Sequence, residues 1–85
     1  MIVEIEWLDA ACEHENLTVE EAEKINPVKR HNVGYLICEN DEKVIISFGS
    51  VNDIDKEGFC YQDILVVPRG DVKKIFYLAY GEVTS

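Results

Sequence analysis

Val33-Gly34-Tyr35-Leu36-Ile37-Cys38-Glu39-Asn40-Asp41-Glu42-Lys43-Val44-Ile45-Ile46-Ser47 is the stretch on which the fold turns. Val33, Tyr35 and Ile37 alternate with Gly34, Leu36 and Cys38, and a polar turn follows from Glu39 to Glu42. Beyond it Val44, Ile46 and Phe48 alternate with Ile45 and Ser47. Period-two alternation in β-branched and aromatic residues is the pattern of strands, because successive side chains point to opposite faces. Two such runs across a short polar turn predict a hairpin. The first of them opens near Val28, and the second runs from Lys43 to Gly49.

Working outward, Ile2 to Leu8 alternates as well, with Val3, Ile5 and Trp7 on one face and Glu4 and Glu6 on the other. Between these strands, Leu17-Thr18-Val19-Glu20-Glu21-Ala22 reads as a helix start. Thr18 can cap the free N–H groups and Glu21 can reach back to it. Val19, Ala22 and Ile25 would share an inward face, and Asn26-Pro27 ends the helix within two turns. Downstream, Val51 to Gly58 reads as a polar connection and Phe59 to Val67 as a fourth strand. The run Ile64-Leu65-Val66-Val67 is apolar on both faces, which suits a strand covered on both sides. Pro68-Arg69-Gly70-Asp71 is a sharp turn, and Val72 to Tyr80 is the last strand, entered through a short helical turn. The expected fold is mainly β: a small, strongly bent five-stranded sheet, or a small barrel, with one short helix between strands one and two.

The chain has 85 residues, enough for one domain, 1–85. Its 8 basic and 17 acidic residues give a formal charge of −9. Met1 to Glu23 contains eight of the acids and no Lys or Arg, so the remainder is almost neutral. This balance disfavours generic nucleic-acid binding, which needs an excess of cations to neutralise phosphates. No apolar run approaches a membrane span and no signal peptide is evident, which gives a cytoplasmic expectation. Cys12, Cys38 and Cys60 are odd in number and scattered, and read as reduced thiols.

Two basic groups stand out. Lys29, Arg30 and His31 form one; Arg69, Lys73 and Lys74 form the other. With the Gly70 N–H and Tyr35 or Tyr77, they are the candidate site for a phosphate-bearing ligand. Arg can fork onto phosphate, and an aromatic ring can stack on a base. The acidic first quarter is the second candidate surface. Glu4, Glu6, Glu20 and Glu21 would face a basic protein, with Trp7 as an anchor. Asp53-Ile54-Asp55-Lys56-Glu57-Gly58 resembles the first half of a calcium loop, but Ile64 stands where the closing Glu is required, so it reads as an acidic turn. Cys12 and His14 form one close pair, where a structural zinc site needs two. No metal, cofactor or catalytic residue is assigned, and the chain reads as non-catalytic. A barrel this small offers little concave surface, so a homo-oligomer is expected.

Three blocks carry a resemblance: Val3 to Ala10; Val33 to Ile37 with the acidic turn and Lys43 to Ser47; and Asp63-Ile64-Leu65-Val66-Val67-Pro68-Arg69-Gly70 with Val72 and Ile75. Together they resemble a group of short bacteriophage and prophage proteins of undefined activity. The resemblance implies residence in a bacterial host cytoplasm. It also implies a place among accessory proteins that blunt host defence, one route being sequestration of a nucleotide signal. The alternative is an acidic module that inhibits a basic host protein. The second half also resembles the Sm-like and SH3-like small barrels, through Gly34 before the Asn40-Asp41 turn and the later Arg69-Gly70. In Sm-like proteins those segments line a uridine-binding pore, which gives an RNA binder as the third expectation. The chain departs from that pattern at Pro68 and lacks the His-Met-Asn-type segment after the acidic turn. The fold is what this second resemblance implies.

Overall fold

The computed structural model describes residues 1–56 and 58–79; Tyr80, where the last strand was expected to end, lies outside them. Five strands form one antiparallel sheet: β1 (Ile2–Asp9), β2 (Val28–Glu39), β3 (Lys43–Asp53), β4 (Gly58–Pro68) and β5 (Val72–Leu78). Their order in the sheet is β4-β3-β2-β1-β5. The expectation of a small, bent five-stranded sheet is met, and its curvature follows from the ladders.

β1 pairs with the first part of β2, from Asp9↔Val28 to Ile2↔Tyr35, while β3 pairs only with the last part, from Tyr35↔Ser47 to Glu39↔Val44. Were the sheet flat, Pro68 at the end of β4 and Val72 at the start of β5 would lie about 30 Å apart along the strands and about 19 Å apart across them. Four Cα steps reach at most about 14 Å. The chain makes this connection through a single 3₁₀ turn, Arg69–Asp71. The sheet must therefore fold over on itself, and the bend falls where β2 changes partner. Gly34 stands at that point: a Cβ there would lie 2.5 Å from the Ser47 carbonyl oxygen. Only a residue without a side chain lets the two backbones approach so closely. Among the described residues β4 and β5 form no ladder with each other, so the sheet curls without closing.

The concave side holds the core. Val3, Ile5, Val44, Ile46 and Val67 are fully buried, with Trp7, Leu36, Leu65, Val72 and Ile75 packed against them. This is the inward row expected of β1, extended across the sheet.

Three expectations are corrected, one of them the two-sided cover of the Ile64–Val67 run: Leu65 and Val67 pack into the core, but Ile64 and Val66 on the other face are exposed. The helix, α1 (Val19–Ala22), forms one turn with the anticipated capping box: the Glu21 N–H donates to Thr18 Oγ1 at 3.2 Å, and the Thr18 N–H to Glu21 Oε1 at 3.4 Å. It buries nothing, however, and Val19 is 73% exposed. The turn closes through Lys24 N–H to Glu21 O and Ile25 N–H to Ala22 O, so the chain leaves the helix before an inward stripe can form. The third correction concerns the segment after Gly49. β3 continues to Asp53, and β4 begins at Gly58, joined by a 3₁₀ turn over Ile54–Lys56. Gly49↔Gln62, Ser50↔Tyr61, Val51↔Cys60, Asn52↔Phe59 and Asp53↔Gly58 extend the hairpin as an arm that pairs with no third strand among the described residues. The polar residues of Val51 to Gly58 made this segment read as a connection; cross-strand pairing of Val51, Asn52 and Asp53 overrides that polarity. The radius of gyration, 17.6 Å, exceeds the roughly 12 Å of a compact chain of this length, as an arm requires.

Candidate functional site

The turn between β4 and β5 packs against the far end of β2, and a cavity of about 220 Å³ opens there. It is lined by Glu39 of β2, Arg69 of the turn, and Val72, Lys73, Lys74, Ile75 and Tyr77 of β5. Pro68 sets the approach with φ −56° and ψ 136°, and the Arg69 N–H donates to the Glu42 carbonyl at 2.9 Å. Arg69 is thereby tied to the acidic turn, whose own shape comes from Asn40: its Oδ1 accepts from the N–H groups of Glu42 and Lys43, both at 2.9 Å. Asn is favoured in such turns because its side chain mimics a backbone acceptor.

Inside the cavity Tyr77 donates its hydroxyl to the Glu39 carboxylate, with both oxygens at 2.6–2.7 Å, and Arg69 Nη1 lies 3.4 Å from Glu39 Oε1. The Glu39 carboxylate holds the Tyr77 phenol above its usual range, because losing the proton would end that bond and set two anions together; desolvation pushes the same way. Arg69, Lys73 and Lys74 thus line the cavity with Glu39 as the one carboxylate among the described lining residues, and Lys74 also acts on Glu6 across the β1–β5 ladder. Among the described residues no Ser, Cys or His lines the cavity.

The other basic group sits elsewhere. Lys29, Arg30 and His31 lie two strands from β5, across β1, and each meets an acid of that strand. Lys29 Nζ is 3.1 Å from Glu6 Oε1, and Arg30 Nε is 2.7 Å from Asp9 Oδ2. His31 stands between Glu4 and Glu6 at 4.0 and 3.9 Å. Glu6 also neighbours Lys74 across the β1–β5 ladder and is only 8% exposed. Its carboxyl is held below the usual range, chiefly by the hydrogen bond from Lys29; burial opposes this, and the charges of Lys29, Lys74 and His31 reinforce it. Residues expected to serve two separate surfaces therefore neutralise one another in a single cross-strand cluster.

The remaining candidates are dispersed. Trp7 points its ring at the core and donates Nε1–H to Asn32 Oδ1 at 2.8 Å. Tyr35 faces Tyr61 of the arm, ring centroids 6.2 Å apart. Gly70 is exposed and does not line the cavity; a Cβ there would meet nothing within 4 Å. Glu20 and Glu21 lie on the exposed α1. Cys12 Sγ is 3.8 Å from His14 Nε2, and among the described residues no group of three or more His, Cys, Asp or Glu is placed to hold a metal ion. No helix of the described residues is long and apolar enough to cross a membrane. Of the expected ligand residues, Arg69, Lys73 and Lys74 come together, joined by Tyr77. Glu39 is the member that sequence reasoning missed, since nothing near it in the chain marks it out from the other acids of the turn.

Comparison with known proteins finds no matching family model, curated protein or solved structure.

Proposed function

We propose that this chain is a small non-catalytic binding module that takes the phosphate of a nucleotide-like ligand at the β4–β5 corner. The observation that carries this reading is that Arg69, Lys73 and Lys74 line one cavity in which Glu39 is the one carboxylate among the described lining residues. Arg69 supplies a planar fork for phosphate oxygens, and the lysines supply point charges. Glu39 and Tyr77 orient Arg69 and keep the wall of the cavity fixed. At about 220 Å³ the cavity is smaller than the roughly 300–1,000 Å³ of sites that enclose a drug-sized molecule, so it suits a phosphate group with the rest of the ligand outside. The likeness to phage accessory proteins supports a signalling nucleotide of host defence as that ligand.

Thermal denaturation in the presence of inorganic phosphate, mononucleotides and cyclic dinucleotides tests the reading. A ligand that binds the folded state raises the melting temperature with concentration. The rise is expected with at least one nucleotide, and Arg69→Met or the pair Lys73→Met and Lys74→Met should abolish it. If no nucleotide moves the transition, or if the variants respond like the parent, the reading is wrong.

A further inference from the structure

The corner between β4 and β5 offers more than cations. Glu39 lines the same cavity as Arg69 and Lys73, and 27% of its side chain stays open. A carboxylate on the wall of a phosphate site is a cost, because like charges repel. What it can give in return follows from its bonds. An ionised carboxylate has about four acceptor positions and no hydrogen to donate. The Tyr77 hydroxyl oxygen lies 2.7 and 2.6 Å from Glu39 Oε1 and Oε2, so its one hydrogen serves both. Arg69 adds a single contact, Nη1 to Oε1 at 3.4 Å, looser than the about 2.7–2.9 Å of a tight charge-assisted pair. Among the described residues two hydrogens at most are directed at Glu39, which leaves it able to accept from a group in the cavity. Tyr77 adds to this capacity: with its hydrogen committed to Glu39, its oxygen can only accept.

The two walls therefore suit different atoms. Arg69 and Lys73 offer hydrogens to phosphate oxygens, while Lys74 is shared with Glu6. Glu39 and Tyr77 offer lone pairs, which an ionised phosphate oxygen cannot use. We infer that the ligand taken at this corner carries a hydroxyl on the carbon next to its phosphate ester and donates it to Glu39, so that the site prefers the ribose form of a nucleotide to the deoxyribose form. This rests on the phosphate reading given above. Three features select such a hydroxyl. The first is distance: Arg69 and Glu39 are 3.4 Å apart, so a ligand that meets both holds its donor close to its phosphate. The second is volume: about 220 Å³ takes a phosphate and the atoms bonded nearest to it, leaving a base and its N–H groups outside. The third is charge: an ammonium donor would face Arg69 and Lys73 as well as Glu39, whereas a hydroxyl is neutral. A ribonucleoside 3′-phosphate has this arrangement in its 2′-hydroxyl, the group by which proteins tell RNA from DNA. The deoxy form sets a phosphate beside Glu39 and supplies no hydrogen in exchange. A site built to bond a hydroxyl rejects the analogue that lacks it in this way. Glu39 is then a specificity-determining residue as well as the partner that orients Arg69.

Calorimetric titration of the full chain with adenosine 3′-monophosphate and cytidine 3′-monophosphate, each against its 2′-deoxy counterpart, tests this. The ribose form is expected to bind at least about tenfold tighter, as a hydrogen bond to a charged group implies. Glu39→Ala should bring the members of each pair to within about twofold of each other, since the charged acceptor is gone. Lys73→Met should weaken both members alike and leave their ratio as in the parent. Equal affinities in the parent overturn the inference and leave the phosphate reading standing. So does a preference that survives Glu39→Ala. The comparison in the parent needs no variant, and so decides the matter even where a variant fails to fold. If none of the four compounds binds, the inference falls. The phosphate reading falls with it only where every other nucleotide also leaves the melting temperature unmoved.

Discussion

At the scale of single residues, Gly34 and Glu6 show how position changes what a side chain costs. Gly34 lies where β2 turns away from β3, and a methyl group there would press on the Ser47 carbonyl. Backbone cannot swing aside as a side-chain tip can. Gly34→Ala is therefore expected to lose about 1–3 kcal/mol of stability, as overpacked sites do, measured by urea denaturation. An unchanged midpoint would mean that β2 is not bent there. Glu6 makes a prediction about pH. Its folded pKa is lowered, first by Lys29, from a value near 4.3 in the unfolded chain. Its contribution is whole above that unfolded value and is lost as the pH falls through the lower, folded one. Lys29→Met removes the main cause, so acid unfolding followed by circular dichroism should begin at a higher pH than in the parent. Equal midpoints would show that Lys29 does not hold the carboxylate.

At the scale of elements, α1 and the arm are informative in opposite ways. The capping box was legible because Thr18 and Glu21 satisfy a rule that needs only four consecutive residues. The packing of α1 was not legible, since an apolar spacing at Val19, Ala22 and Ile25 says nothing about whether a sheet waits beneath it. The consequence is testable. Thr18→Ala ordinarily costs a helix about 0.5–2 kcal/mol. Here nothing buried depends on the helix, so amides of residues 20–25 should exchange faster while the global urea midpoint stays within error. A clear fall in global stability would place α1 in the cooperative core. The arm reverses the case: Val51 to Asp53 read as part of a polar connection, and their pairing with Cys60, Phe59 and Gly58 makes them a strand.

At the scale of the whole molecule, five fully buried apolar side chains among the described residues carry the core. A chain this small buries only about 60% of its unfolded surface, so little stability is in reserve. Ile46→Ala is expected to cost about 2–5 kcal/mol, a large share of the 5–15 kcal/mol typical of whole domains. Calorimetry should show a melting temperature lowered by more than 10 °C or no transition; a shift of one or two degrees would mean the core lies elsewhere. The net charge also looks different at this scale. The acids of β1 are cancelled by Lys29, Arg30 and their neighbours, which leaves the exposed stretch from Glu13 to Glu23 as the main excess of negative charge.

The sequence by itself determined the five strands apart from the distal end of β3, the capped turn, the Asn40 turn and the uneven partition of charge. Each depends on residues within about ten positions of one another, where side-chain alternation and hydrogen-bonding reach decide the outcome. The tertiary structure alone decided which residues meet. Glu39 finds Arg69 and Tyr77 across 30 and 38 residues of chain, because the fold-over at Gly34 brings the end of β2 over β5 and the turn that precedes it. The same bend ends the β2–β3 ladder before the distal hairpin and leaves Phe48, Phe59 and Tyr61 largely exposed on one of its faces. Alternation records that a strand has two faces. What covers each face depends on where the backbone can come close enough to turn, and here that is set by a hydrogen atom in place of a side chain.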